Sequence, residues 1–161
     1  MQKIKTFLWF DGKAEEAAEF YVSLLPDSKI THIERYPDLG PDAPGTPGQV
    51  MTVDFELAGQ AYTALNGGPE FSFTPAISLM VDCDSQEEVD RLWTALTADG
   101  GEDGPCGWLT DRFGLSWQLI PAEFNELMSG GDQAGKDRAF RAMLGMHKLD
   151  LGALKAAYEG R

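Results

Sequence analysis

A chain of 161 residues with 43% hydrophobic and 24% charged content suffices for one globular domain or two small fused modules, and is too short for a multidomain assembly. Thirteen basic against 26 acidic residues give a net charge of −13, a field that repels phosphate backbones and anionic lipid surfaces, so neither nucleic acid nor membrane is an expected partner. Two cysteines are too few for a disulfide framework, no apolar run approaches the roughly 20 residues of a membrane span, and the run before Asp11 is too short for a secretory leader; a reducing cytoplasm is the expected compartment.

In chain order, KTFLWF reads as a strand and AEEAAEFYVSLL as a helix, with Ala17, Phe20, Tyr21, Leu24 and Leu25 gathered into one apolar stripe. KITHIERY, QVMTVDFEL and AYTAL follow as strands. In the middle one Val53, Phe55 and Leu57 share a face meant for burial under the helix, and Thr52, Asp54 and Glu56 share the other. The intervening PDLGPDAPGTPG is too rich in proline and glycine for helix or ladder and reads as an exposed, mobile loop. Asn66-Gly67-Gly68-Pro69 ends the last strand. The plan then restarts: AISLMV is a strand, SQEEVDRLWTAL a helix opened by a Ser85/Glu88 capping box, and a glycine-rich stretch leads through CGWL to a final strand LSWQLI. A constant offset of 72 superposes Phe7 on Leu79, Phe20 on Leu92, Tyr21 on Trp93 and Leu24 on Leu96. After Pro121 the pattern turns helical in three pieces, AEFNELMS, QAGKDRAFRAMLGM and LGALKAAYEG. Phe140, Met143, Leu144 and His147 mark one side of the second piece, and Leu151, Leu154 and Ala157 mark the third.

These elements predict an α+β fold, two tandem β-α-β-β-β modules (1–68 and 69–121) and a helical tail (122–161), all within one domain. Paired modules of this plan resemble the vicinal oxygen chelate superfamily, which includes glyoxalase I, extradiol dioxygenases and bleomycin-resistance proteins. FLWFDGKAEEAAEFYVSLLPDS, ALNGGPEFSFTPAISLMVDC, CGWLTDRFGLSWQLIP and the AFRAMLGMHKLDLGALKAAY tail resemble its PhnB-like group, whose domains bear the label 3-demethylubiquinone-9 3-methyltransferase. The resemblance implies cupped mixed sheets with helices outside, a site in the cup, and a homodimer.

Metal-using members carry His on the first strand of each module and Glu near the end of each last strand. Carried over, those positions are Ile4 or Thr6, Ala76, Thr63 and Gln118, none of them a strong ligand, so no metal or other cofactor is expected. His32 and His147 stand apart from any ligand pattern. An atypical divalent site at Asp54 and Glu56, which project from one strand face, is the alternative.

Strand alternation places Thr6, Leu8 and Phe10 in the cup with Phe7 and Trp9 under the helix. Likewise Ala76, Ser78 and Met80 face the cup, as do Ser116, Gln118 and Ile120, while Leu115, Trp117 and Leu119 face the helix. The expected ligand-binding set is Thr6, Phe10, Thr63, Ser78, Cys106, Trp108 and Gln118, with Leu65 and Met80 beside them, suited to a small organic molecule held by a few hydrogen bonds. No general base stands out. Cys106 lacks a neighbouring cation to activate it, and Cys83 lies where burial is expected. An enzyme with the atypical metal, the methyltransferase of the family label, and a drug-sequestering resistance protein are the competing readings. Against the methyltransferase, WFDGKAEE holds one glycine, not the glycine-rich turn of a doubly wound cofactor site.

Overall fold

The computed structural model describes residues 2–161; Met1, the expected start of the first module, lies outside the described residues. The chain divides into two compact units, one running to Ser72 and the other from Phe73 to Arg161.

The first unit holds β1 (Thr6–Phe10), α1 (Ala14–Leu24), β2 (Lys29–Arg35), β3 (Val50–Leu57) and β4 (Gln60–Asn66). Its sheet order is β1-β4-β3-β2, with β1 parallel to β4 and the other pairs antiparallel. The alanine-rich start of α1 lets the helix come close to the sheet, and Ala14, Ala17, Ala18, Tyr21 and Leu24 are buried there. Val53, Phe55 and Leu57 lie beneath it as the alternation requires; the Tyr21 ring sits 6.4 Å from that of Phe55, which stacks at 5.4 Å on Tyr62. Burying a side chain such as Phe55 stabilises the unit by about 1.5–3 kcal/mol. Ala58 and Gly59, both at positive φ (48° and 84°), make the two-residue hairpin between β3 and β4.

The second unit repeats this plan with β5 (Ser78–Cys83), α2 (Gln86–Thr97), β6 (Glu102–Asp103), β7 (Trp108–Thr110) and β8 (Ser116–Pro121), in order β5-β8-β7-β6. Ser85 caps α2 by accepting from the Glu88 amide, as the sequence announces, while the Glu88 carboxylate accepts from the amide of Asp84, one residue before the cap, instead of from Ser85 itself. Trp117 and Leu119 are buried with α2's Val89, Leu92, Trp93 and Leu96. Asp111 organises the β7–β8 turn: its carboxylate accepts from the Phe113 and Leu115 amides and from the Trp117 indole. The tail forms α3 (Ala122–Met128), α4 (Gln133–Leu144) and α5 (Leu151–Glu159), whose Phe124, Ala139 and Leu154 close a small core over Ile120 and Leu149.

Three expectations need correction. In β1 the faces are reversed. Thr6, Leu8 and Phe10 pair in register with Tyr62, Ala64 and Asn66, so Thr6 and Phe10 belong to the helix side, where Phe10 is only 4% exposed. Phe7 and Trp9 share the open face with Thr63 and Leu65. The reason is a turn length: three residues, Asp11 to Lys13, link β1 to α1, whereas two, Asp84 and Ser85, link β5 to α2. The offset of 72 that aligns the helices therefore slips the strands by one residue, and a one-residue slip exchanges the faces. Second, Ala76 and Ile77 precede β5 rather than belonging to it. Third, α4 stops before His147, and Phe140 and Leu144 are exposed.

Candidate ligand pocket

The open face of the second sheet brings together part of the expected site. Ser78 pairs with Ser116, Met80 with Gln118 and Trp108 with Gln118, so these side chains lie on the face opposite Trp117 and Leu119. The Gln118 amide donates to the Ser78 hydroxyl at 3.0 Å. Beside them a pocket of about 430 Å³ is lined by Pro75, Pro105, Cys106, Trp108, Thr110 and Ser116, among others. Its wall is mostly apolar. Ser116 is 2% exposed as a residue, and its hydroxyl, which has no protein partner, opens onto this pocket; among the described residues no fully buried side-chain nitrogen or oxygen is left without a partner.

The Cys106 corner of this pocket is held from the tail. Cys106 has a left-handed backbone (φ 58°), its amide donates to the Met146 carbonyl, and the next amide, of Gly107, donates to that of His147, both at 2.8 Å. Gly107 stands at φ 84°, and a Cβ there would meet the Leu119 carbonyl and the Leu149 side chain at 3.1 Å, so glycine is needed for this approach. Gln86 anchors the same tail segment by donating to the Leu149 carbonyl and accepting from the Leu151 amide. Lys148 pairs with Asp90 at 2.8 Å, and the hydrogen bond from Lys148, with a second from Gln86, holds the Asp90 carboxyl below its ordinary pKa.

The remaining expected residues lie in the first unit. Thr63 is on the open face, but its hydroxyl donates to Asp54, which also pairs with Lys5 at 3.5 Å. Thr6 and Phe10 do not join it, being on the helix side. Glu56 shares the Asp54 face, and His32 bonds to Glu34; among the described residues no group of three or more His, Cys, Asp or Glu side chains is placed to hold a metal ion. Cys83 is buried, and desolvation, followed by the charges of Glu88, Asp82 and Asp84, pushes its thiol up to about 12.

Sequence reasoning missed a second pocket of about 450 Å³ in the first unit, where Asp11 and Glu15 at the start of α1 meet Tyr36, Gly45, Asn66 and Gly67. The Asn66 side chain accepts from the Ala14 amide and donates to the Val50 carbonyl, and its backbone carbonyl accepts from the Tyr36 hydroxyl. The 37–48 loop is without helix or strand, as read. Its base is nevertheless pinned, since the Tyr36 amide donates to Gln49, the Gly48 amide donates to Tyr36, and Arg35 donates to the Gly48 carbonyl.

Among the described residues no helix is long and apolar enough to cross a membrane. Residues 2–120 match the family described as 3-demethylubiquinone-9 3-methyltransferase, so the matched stretch ends with β8 and the tail lies beyond it. A Bacillus cereus PhnB protein of that description is 41% identical, with a TM-score of 0.66, over 75% of this chain and 100% of its own. A Pseudomonas aeruginosa protein (23% identity, TM-score 0.59, 75% of this chain and 98% of its own) and an Arabidopsis thaliana gene product (17%, 0.50, 74% and 98%) share the fold. No curated protein matches the chain. With the family match running from residue 2 to residue 120, through both β-α-β-β-β repeats, this chain belongs to the PhnB-like 3-demethylubiquinone-9 3-methyltransferase family of the vicinal oxygen chelate fold.

Proposed function

We propose that this protein binds a small, largely apolar organic molecule against Cys106, Trp108 and Ser116 on the open face of the second sheet. The Ser116 hydroxyl, open to the wall of a mostly apolar pocket and free of protein partners, carries the reading: a ligand oxygen or nitrogen there bonds to it, and Trp108 supplies contact area. The Gln118–Ser78 pair beside it offers a second, adjustable polar contact. The positions carried over from metal-using members, Ile4 or Thr6, Ala76, Thr63 and Gln118, include no strong ligand, and Thr6 lies on the helix side, so the binding proposed here is independent of an ion. Methyl transfer is not adopted, because both sheets are mixed and the β1–α1 turn has a single glycine, Gly12, where a doubly wound cofactor fold needs a glycine-rich turn.

A second copy of the chain is the proposed partner. β1 and β5 are edge strands of their sheets, and the exposed apolar side chains Ile4, Phe7, Ile77 and Met80 lie on or next to them, a combination that seeks cover.

Amide NMR with a library of monocyclic aromatic alcohols and amides tests the pocket. Binders should shift Cys106, Trp108, Thr110 and Ser116; Ser116→Ala should weaken them about 3- to 10-fold, the value of one hydrogen bond, and Trp108→Ala should remove binding. Hits that ignore both substitutions would refute the proposal.

A further inference from the structure

We infer that the first unit carries a separate binding site, for a small organic cation, in the pocket of about 450 Å³ between the start of α1, the end of β4 and the 37–48 loop. The inference goes beyond the pocket of the second unit and uses none of its residues.

The cavity is built rather than incidental. Its back wall is glycine set against aromatic rings: a Cβ on Gly45 would come within 2.5 Å of the Tyr36 ring, and one on Gly67 within 2.5 Å of the Trp9 indole. Only residues without side chains allow these approaches. Hydrogen bonds fix each wall: the Trp9 indole donates to the Gly68 carbonyl, the Gly67 amide to the Phe10 carbonyl, and Asn66 joins α1, β3 and Tyr36 as described. Edge-on packing of Phe71 against Trp9, at 4.9 Å, supports the same corner from behind. The hydrogen-bonding atoms of Tyr36 and Asn66 are thus spent on construction, and the charged groups decide what enters.

Both charged side chains in the lining, Asp11 and Glu15, are acidic. Neither has an ion-pair or hydrogen-bond partner among the described residues. The basic groups on flanking segments are engaged elsewhere, Lys13 with Glu16 at 3.4 Å and Arg35 with the Gly48 carbonyl. An ammonium group entering the cavity therefore meets two carboxylates that have no basic side chain paired with them, with a Tyr36 ring for an attached apolar body, and the overall charge of −13 draws cations toward it. An anion meets repulsion from the same pair.

Titration of the full chain with tryptamine, tryptophol and indole-3-acetate, which share one ring and differ in charge, tests this by amide NMR. Tryptamine should shift Gly12, Gly45, Gly67 and Gly68 saturably and bind about tenfold more tightly than tryptophol, the combined value of two exposed charge contacts; indole-3-acetate should not compete. Asp11→Asn with Glu15→Gln should bring tryptamine down to the tryptophol level while the rest of the spectrum stays in place, and each single variant should fall between. Equal binding of the three probes, no shift with tryptamine at millimolar concentration, or shifts confined to other residues would overturn the inference. Shifts at Cys106 and Trp108 would report the second-unit pocket instead, so the two sites fail separately.

Discussion

Asn66 is one side chain on which three segments depend. Replacing it with Ala leaves the Ala14 amide and Val50 carbonyl without their partners, and the expected loss is about 2–4 kcal/mol in urea unfolding. Asn66→Asp keeps the acceptor for Ala14 and should lose less. The sequence marks Asn66-Gly67-Gly68 as a strand end but not as the cap of α1, because an acceptor supplied from 52 residues away has no local signature. Lys13, the residue that immediately precedes α1, makes no side-chain cap. The cysteines were more legible, since an apolar strand end predicts a buried thiol. With burial pushing Cys83 up to about 12, iodoacetamide at neutral pH should label half-buried Cys106 in the native protein and spare Cys83 until it unfolds, as peptide mass spectrometry would show. Prompt labelling of both would contradict the packing described.

At the scale of elements, periodicity read the helices and strands well because each has one wet and one dry face. It failed for the facing of β1, where one extra turn residue separates otherwise matching halves and side-chain alternation magnifies that residue into a full exchange of faces. It also missed the two-residue β6, too short for any period to register. The tail was legible as three helices, but not its attachment. Gln86→Ala removes both bonds to the 149–151 segment and should cost about 1–3 kcal/mol, seen as faster hydrogen exchange in α4 and α5 with β5 and β8 unchanged. The Asp90–Lys148 pair sets an acid limit on the same attachment. Because the folded-state pKa of Asp90 is lowered, its contribution is complete above the ordinary carboxylate range and is lost as pH falls through the depressed value. Exchange in the tail should therefore rise only on acidification, and Asp90→Asn should flatten that response. Exposure of the pair keeps the effect small.

For the whole molecule, the repeat made the architecture legible, while the separate pockets came from contacts between distant segments that no window of sequence contains. The proposed pairing of two copies predicts a solution mass twice the 17.6 kDa of one chain, and Phe7→Asp with Met80→Asp should return it to the single-chain value by light scattering. A single-chain mass for the unaltered protein would exclude the pairing. The parallel ladder between β1 and β4 has a kinetic corollary. Trp9 and Gly68 are 59 positions apart, so the first unit closes only when its opening and final strands meet, and the chain must pay that search before the Asn66 junction rewards it. A ribosome still holding β4 (Gln60–Asn66) would thus carry a nascent first unit lacking its parallel pair, and trimming either end of that unit should abolish its folding rather than shorten it.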